Sequence, residues 1–154
     1  MAAATQQCWN TACQERGVQY DQFFIHEYRL QRELPLWSRD LWVTAPSKIT
    51  VERCNCSICT KSGFLHLIVP LSKFKLLSGE ESLSSYSFNT GAAKHTFCII
   101  CGIKPFYTPR SNPDGIDINV NCLDTRPEAI IINEFDGQNW EQNAASLAHL
   151  SRDD

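Results

Sequence analysis

Lys48-Ile49-Thr50-Val51-Glu52-Arg53-Cys54-Asn55-Cys56-Ser57-Ile58-Cys59 carries two signals at once. Its first half alternates apolar and polar residues with period two, the pattern of a half-buried strand. Its second half delivers three cysteines in six residues. Zn²⁺ is borderline soft and lowers the pKa of a thiol that binds it, so closely spaced cysteines are natural zinc ligands. Cysteines one or two residues apart can turn both sulfurs toward a single ion. Lys61, Ser62 and Gly63 follow and supply a turn, with no fourth thiol. Three protein ligands with an open fourth position match a catalytic zinc site; a structural knuckle completed from elsewhere in the chain is the alternative.

Outward from this stretch the chain reads as short strands broken by turns. Trp42–Pro46 precedes it, and Phe64–Val69 follows as a mostly apolar strand stopped by Pro70. Phe74–Leu77 ends at Ser78-Gly79, and Leu83–Phe88 ends at Asn89-Thr90-Gly91. Lys94–Phe97 runs into Cys98, Ile103–Tyr107 follows Gly102, Ile116–Val120 alternates in period two, and Ala129–Phe135 closes at Asp136-Gly137. At the ends the period changes. Tyr20, Phe23, Phe24 and Tyr28 predict a helix over roughly 20–33, ended by Pro35, and Trp140, Ala144, Leu147 and Ala148 share one face of a C-terminal helix. The expectation is a mainly β domain over 41–141, an atypical N-terminal segment over 1–40 that is helical or partly disordered, and a C-terminal helix and tail over 142–154.

Composition narrows the function classes. The 154 residues suit one domain, and 43% hydrophobic with 20% charged residues is ordinary for a globular protein. No apolar run approaches the ~20 residues that span a bilayer. Met1-Ala2-Ala3-Ala4-Thr5 lacks the basic start and apolar stretch of a secretory signal, which favours a cytoplasmic or nuclear location. Eight cysteines without such a signal read as metal ligands before disulfides. The net charge of −3 arises entirely after residue 53, where eight Lys/Arg face eleven Asp/Glu, and no basic cluster is present. Nucleic acid is therefore a disfavoured partner. The oligomeric state is not legible.

Cys98-Ile99-Ile100-Cys101-Gly102 is the second cysteine grouping. Strand, Cys-x-x-Cys and Gly form a zinc-knuckle signature that offers two ligands, either joining Cys56 and Cys59 or serving a separate structural zinc. Cys122 reads as a small buried hydrophobe, and Cys8 and Cys13 are weak candidates. His66, interrupting an apolar strand, reads as a satisfied structural histidine. His95 lies close enough to Cys98 to act behind the ligands. Arg110-Ser111-Asn112-Pro113-Asp114-Gly115 is a polar turn whose Arg, Ser and Asn donors could also hold a carboxylate-bearing ligand.

These motifs together resemble a family. The three-cysteine run, Val69-Pro70, His95-Thr96-Phe97-Cys98-x-x-Cys101-Gly102, Phe106-Tyr107-x-Pro109-Arg110-Ser111-Asn112-Pro113 and Asp136-Gly137-Gln138-Asn139-Trp140-Glu141 are similar to the glutathione-dependent formaldehyde-activating enzymes, nearest to the eukaryotic branch that includes centromere protein V. The resemblance covers roughly residues 41–141. It implies a β-tent-like (Mss4-like) fold of small coiled sheets around zinc, with short terminal helices. It implies a three-cysteine zinc site at Cys54, Cys56 and Cys59, and half of a four-cysteine structural site at Cys98 and Cys101. It implies carbon–sulfur lyase chemistry, the reversible union of glutathione with formaldehyde to S-(hydroxymethyl)glutathione, with a small thiol and aldehyde as partners and Arg110, Ser111 and Asn112 as candidate glutathione contacts. The family's Gly-Gly-Cys-x-Cys-Gly segment, which supplies the other half of the structural zinc, has no counterpart around Leu34–Asp40. One zinc per chain is the resulting expectation, with Cys98 and Cys101 left as a thiol pair. The competing reading is a non-enzymatic, zinc-stabilised binding protein in chromatin or cytoskeletal organisation.

Overall fold

The computed structural model describes residues 25–30 and 41–153. Ten strands form along them: β1 (Ile25–Leu30), β2 (Leu41–Pro46), β3 (Lys48–Cys54), β4 (His66–Pro70), β5 (Phe74–Leu76), β6 (Leu83–Tyr86), β7 (His95–Cys98), β8 (Phe106–Tyr107), β9 (Gly115–Asn119) and β10 (Ala129–Phe135). Two short helices, α1 (Ser57–Ser62) and α2 (Trp140–Asn143), and several 3₁₀ turns complete them. The class is mainly β in small sheets, as the alternating patterns predict. No helix among the described residues is long and apolar enough to cross a membrane.

The strands divide into a five-stranded sheet in the order β10-β3-β4-β9-β8, a three-stranded sheet β1-β2-β5 and the antiparallel pair β6-β7. All pairings are antiparallel except β10 with β3, which run parallel in register from Ala129↔Lys48 to Phe135↔Cys54. Period two then assigns two faces to the large sheet. Ile49 and Val51 of β3, Leu67 and Val69 of β4, and Ile116 and Ile118 of β9 point to one side. There they join Leu41, Val43 and Ala45 of β2 with Phe106, Val120 and Leu123 in the main core. Apart from Ala45, each such side chain contributes about 1.5–3 kcal/mol by leaving water. The opposite face carries Glu52 and Cys54, His66 and Ile68, Asp117, and Tyr107. Beneath it Ile68, Phe135 and Leu147 form a second, smaller core with Trp140 and Leu150 at its edge.

Every residue of β4 and β9 is buried, polar ones included. The second face is covered by the chain after β10. Asn112, itself 1% exposed, donates through Nδ2 to the Leu147 carbonyl at 2.9 Å and to Ser151 Oγ at 3.0 Å. At Gly115 a Cβ would meet Ser151 Cβ at 2.6 Å, so the tail packs directly on the backbone of β9. The C-terminal helix is shorter than its periodicity implies, with α2 passing into a 3₁₀ turn over Ala144–Leu147.

The helix expected over residues 20–33 is corrected. Its centre, Ile25–Leu30, is a strand that pairs antiparallel with β2 from Ile25↔Pro46 to Leu30↔Leu41. An available sheet edge outweighs a weak 3.6-residue pattern, because ladder bonds satisfy the same backbone groups as a helix and add a tertiary contact. Tyr20, Phe23 and Phe24 lie outside the described residues, as do Cys8 and Cys13.

Candidate metal centre

Cys54 ends β3, Cys56 precedes α1, and Cys59 lies within that helix. The first turn of the helix brings Cys59 back beside Cys56, with Thr60 N–H bonded to the Cys56 carbonyl at 3.0 Å. Gly63, at φ 62°, ends the helix in the left-handed conformation. The expected turn at Lys61-Ser62-Gly63 is thus the last turn of a helix and its cap. The three Sγ atoms lie within 4.8 Å of one another. A tetrahedral zinc with bonds of ~2.3 Å places its sulfurs ~3.8 Å apart, so the three thiols fit around one ion. Among the described residues no fourth Cys, His, Asp or Glu joins the group.

Backbone closes tightly on this cluster. A Cβ at Gly137 would lie 2.3 Å from Cys54 Sγ and 3.2 Å from Cys56 Cβ. Asn55, between two of the ligands, is clamped by the same loop. Its Nδ2 donates to Asp136 Oδ1 at 2.9 Å, and its Oδ1 accepts from Gln138 N–H at 3.0 Å.

The thiols cannot all ionise side by side without a cation. Hydrogen bonds with Cys54 and then Cys59 hold Cys56 far below the ordinary thiol range. The same bonds, with Cys54 first, push Cys59 far up, aided by burial. Cys54 is raised chiefly by its bond with Cys56. Crowding thus opposes ionisation of all three thiols together, and a divalent ion is the partner that would let them ionise side by side.

The cysteines line a cavity of about 140 Å³ together with His66, His95, Tyr107, Arg110, Ser111 and Asp117. One wall is a run of rings: Tyr86 stacks on Phe88 at 5.8 Å, Phe88 on His95 at 5.5 Å, and His95 on Tyr107 at 4.9 Å. Burial first, then Lys104, lowers the His95 pKa to about 4, so its ring is neutral near pH 7. Burial also raises Tyr107 well above its usual value, with the Asp117 charge next in effect. His95 thus faces the three-cysteine cavity rather than acting behind Cys98.

His66 departs from its sequence reading as a satisfied structural histidine. Its Nδ1 meets Asp117 Oδ2 at 2.7 Å, with His66 5% and Asp117 0% exposed, but its Nε2 is buried with no hydrogen-bond partner. The candidate ligand-binding turn divides. Arg110 and Ser111 reach the cavity, whereas the Asn112 amide is used on Leu147 and Ser151. The Arg110 guanidinium lies 3.3 Å from the Trp140 ring centroid and 2.5 Å from Glu141 Oε1, an acid whose side chain is 82% exposed.

Cys98 and Cys101 form a separate knuckle. Cys98 Sγ accepts from Ile100 N–H at 3.2 Å and Cys101 N–H at 3.1 Å, and Gly102 takes φ 72°. The pair does not join Cys56 and Cys59. Cys122, half-buried, donates to the Lys104 carbonyl.

With this geometry in place, the comparisons decide the family. Residues 40–135 match the glutathione-dependent formaldehyde-activating enzyme model. The chain belongs to that family. The crystal structure of a Rhodobacter sphaeroides protein is also similar, at 34% identity over 54% of this chain and 80% of that one, with a TM-score of 0.48. The family match spans the cysteine cluster, the ring wall, the Arg110 turn and β10, and it stops before Gly137.

Sequence reasoning missed Gly137, Asn55 and Asp117. Asp136-Gly137 reads as an ordinary strand end, although its place in the family-like motif hints at more. Asp117 sits between two isoleucines and reads as the outer side of an alternating strand.

Proposed function

We propose that this chain is a zinc-dependent carbon–sulfur lyase that joins glutathione and formaldehyde reversibly to S-(hydroxymethyl)glutathione. The observation that carries the reading is the set of three convergent thiols, with no fourth donor among the described residues, opening on a cavity within a formaldehyde-activating family domain. Cys54, Cys56 and Cys59 would hold the zinc, which when bound supplies a site where a substrate thiol is ionised near neutral pH.

The chain's own residues then bind and orient the substrate. Arg110 and Ser111 stand at the cavity as partners for a glutathione carboxylate. The Arg110–Glu141 ion pair is no obstacle, because an exposed pair contributes at most about 1 kcal/mol and a substrate carboxylate can replace it. Trp140 keeps the guanidinium in place from below. Asn112 acts indirectly by fixing the turn that carries both groups. The uncharged wall of Phe88, His95 and Tyr107 leaves a small, weakly polar space suited to a one-carbon aldehyde.

X-ray absorption at the zinc edge tests this. Saturating glutathione should raise the sulfur count of the zinc by one, and the protein should accelerate the condensation of glutathione with formaldehyde. An unchanged count with no acceleration sinks the lyase reading.

A further inference from the structure

The buried pair on the second face of the large sheet has no part in holding a metal or a carboxylate. His66 and Asp117 come from adjacent strands, where the register sets Ile68 opposite Asp117 and His66 opposite Asn119. His66 and Asp117 are therefore diagonal neighbours on one face, close enough for a side-chain bond. A carboxylate oxygen accepts, so its bond to Nδ1 places the ring proton there and leaves the lone pair on Nε2. That atom is buried, has no partner, and belongs to a residue lining the cavity with the three cysteines. Burying a polar atom unpaired is costly, and such an orphan in a ligand cavity marks a place that the ligand completes.

The geometry points to His66 as the proton carrier of the lyase reaction, with Asp117 as its positioning residue. The assignment rests on the lyase reading above. In the forward direction Nε2 takes the proton of the glutathione thiol. The sulfur pair forms the new bond to the formaldehyde carbon, and the carbonyl π pair moves to oxygen. Nε2 then returns the same proton to that oxygen, which yields the hydroxymethyl thioether with no net gain or loss of protons or electrons. Asp117 accepts from Nδ1 and fixes both tautomer and ring direction. The other polar groups around the ring do not compete for this task. Tyr107 is held protonated by burial, and His95 is engaged in the ring stack, 4.9 Å from Tyr107. Glu52, opposite His66 on β3, also lines the cavity, but it is engaged by Asn133, accepting from its Nδ2 at 3.2 Å.

The test uses the full zinc-loaded chain and two variants, His66→Gln and Asp117→Asn. His66→Gln keeps an uncharged polar group at the Nε2 position but cannot cycle a proton. Its kcat should fall at least about 100-fold, with KM for glutathione changed less than threefold and zinc content unchanged. In ¹⁵N-labelled wild type, His66 should show a protonated Nδ1 and a bare Nε2, and Asp117→Asn should lose that fixed tautomer along with most of kcat. Turnover that survives His66→Gln within twofold overturns the role of His66 alone. A wild-type Nε2–H tautomer does the same, and that measurement stands even if a variant fails to fold. Wild-type protein with bound zinc and no turnover overturns the lyase reading, and this role with it.

Discussion

Gly137 shows how little room the metal centre leaves. A methyl group there would lie 2.3 Å from Cys54 Sγ, well inside contact distance, and the nearby atoms are ligand and backbone rather than a mobile side-chain end. Gly137→Ala should therefore weaken zinc binding at least about tenfold, on the scale of other changes that disturb ligand orientation. Competition with a chromophoric chelator measures it, and wild-type affinity in a folded Gly137→Ala protein would contradict the close packing. His95 gives a prediction of pH dependence. Its folded pKa of about 4 lies below the ordinary 6.5, so above pH 6.5 the ring is neutral folded or unfolded and contributes no pH dependence. Between pH 6.5 and 4 the unfolded chain takes up a proton that the folded ring refuses, and stability falls as pH falls. His95→Phe keeps the stack between Phe88 and Tyr107 and removes this proton uptake. Its melting temperature should decline less than that of the wild type across that window, and parallel declines would show that burial of His95 does not carry the effect.

The strands were legible because period two survives wherever one side of a sheet is apolar. β3 and β10 come out close to their expected bounds, and Ile116–Ile118 mark β9. What alternation could not reveal is that the other side is buried too. In β9 it leaves Asp117 as the polar residue, and only the docking of the chain after β10 turns that position inward. The cysteine cluster was legible from spacing alone, because its three thiols lie within six residues. Its partner groups come from β4, β8, β9 and the loop after β10, and register rather than local sequence brings them together. α1 escaped notice since six residues are too few to show a helical period. The docking itself is testable at Asn112. Asn112→Ala removes two bonds, while the Leu147 carbonyl keeps its bond from Leu150 N–H at 3.0 Å, so unfolding by denaturant should show a loss of about 2 kcal/mol. A change below about 0.5 kcal/mol would mean that the tail is held by its apolar contacts alone.

Charge acts over the whole molecule and bears on the competing, non-enzymatic reading. Fourteen Lys/Arg against seventeen Asp/Glu give a pI near 5.8, and the sequence holds no basic run. Arg53 is paired with Glu134 and Arg110 with Glu141, so neither presents a bare cation. Among the described residues one groove carries Lys48, Lys73, His149 and Arg152 together, and beside it Asp153 accepts from Ser72. Three lysine or arginine contacts there would neutralise three phosphates, which predicts a slope of log K against log salt no steeper than about −3. Binding to duplex DNA at physiological salt should consequently be weaker than about 10 µM, within the range of non-specific association, and the same for unrelated sequences. Fluorescence anisotropy with two labelled duplexes, followed through a salt titration, measures all three quantities. Nanomolar binding that distinguishes the duplexes would require a recognition surface that the described residues do not display, and it would move the function from small-molecule chemistry to chromatin.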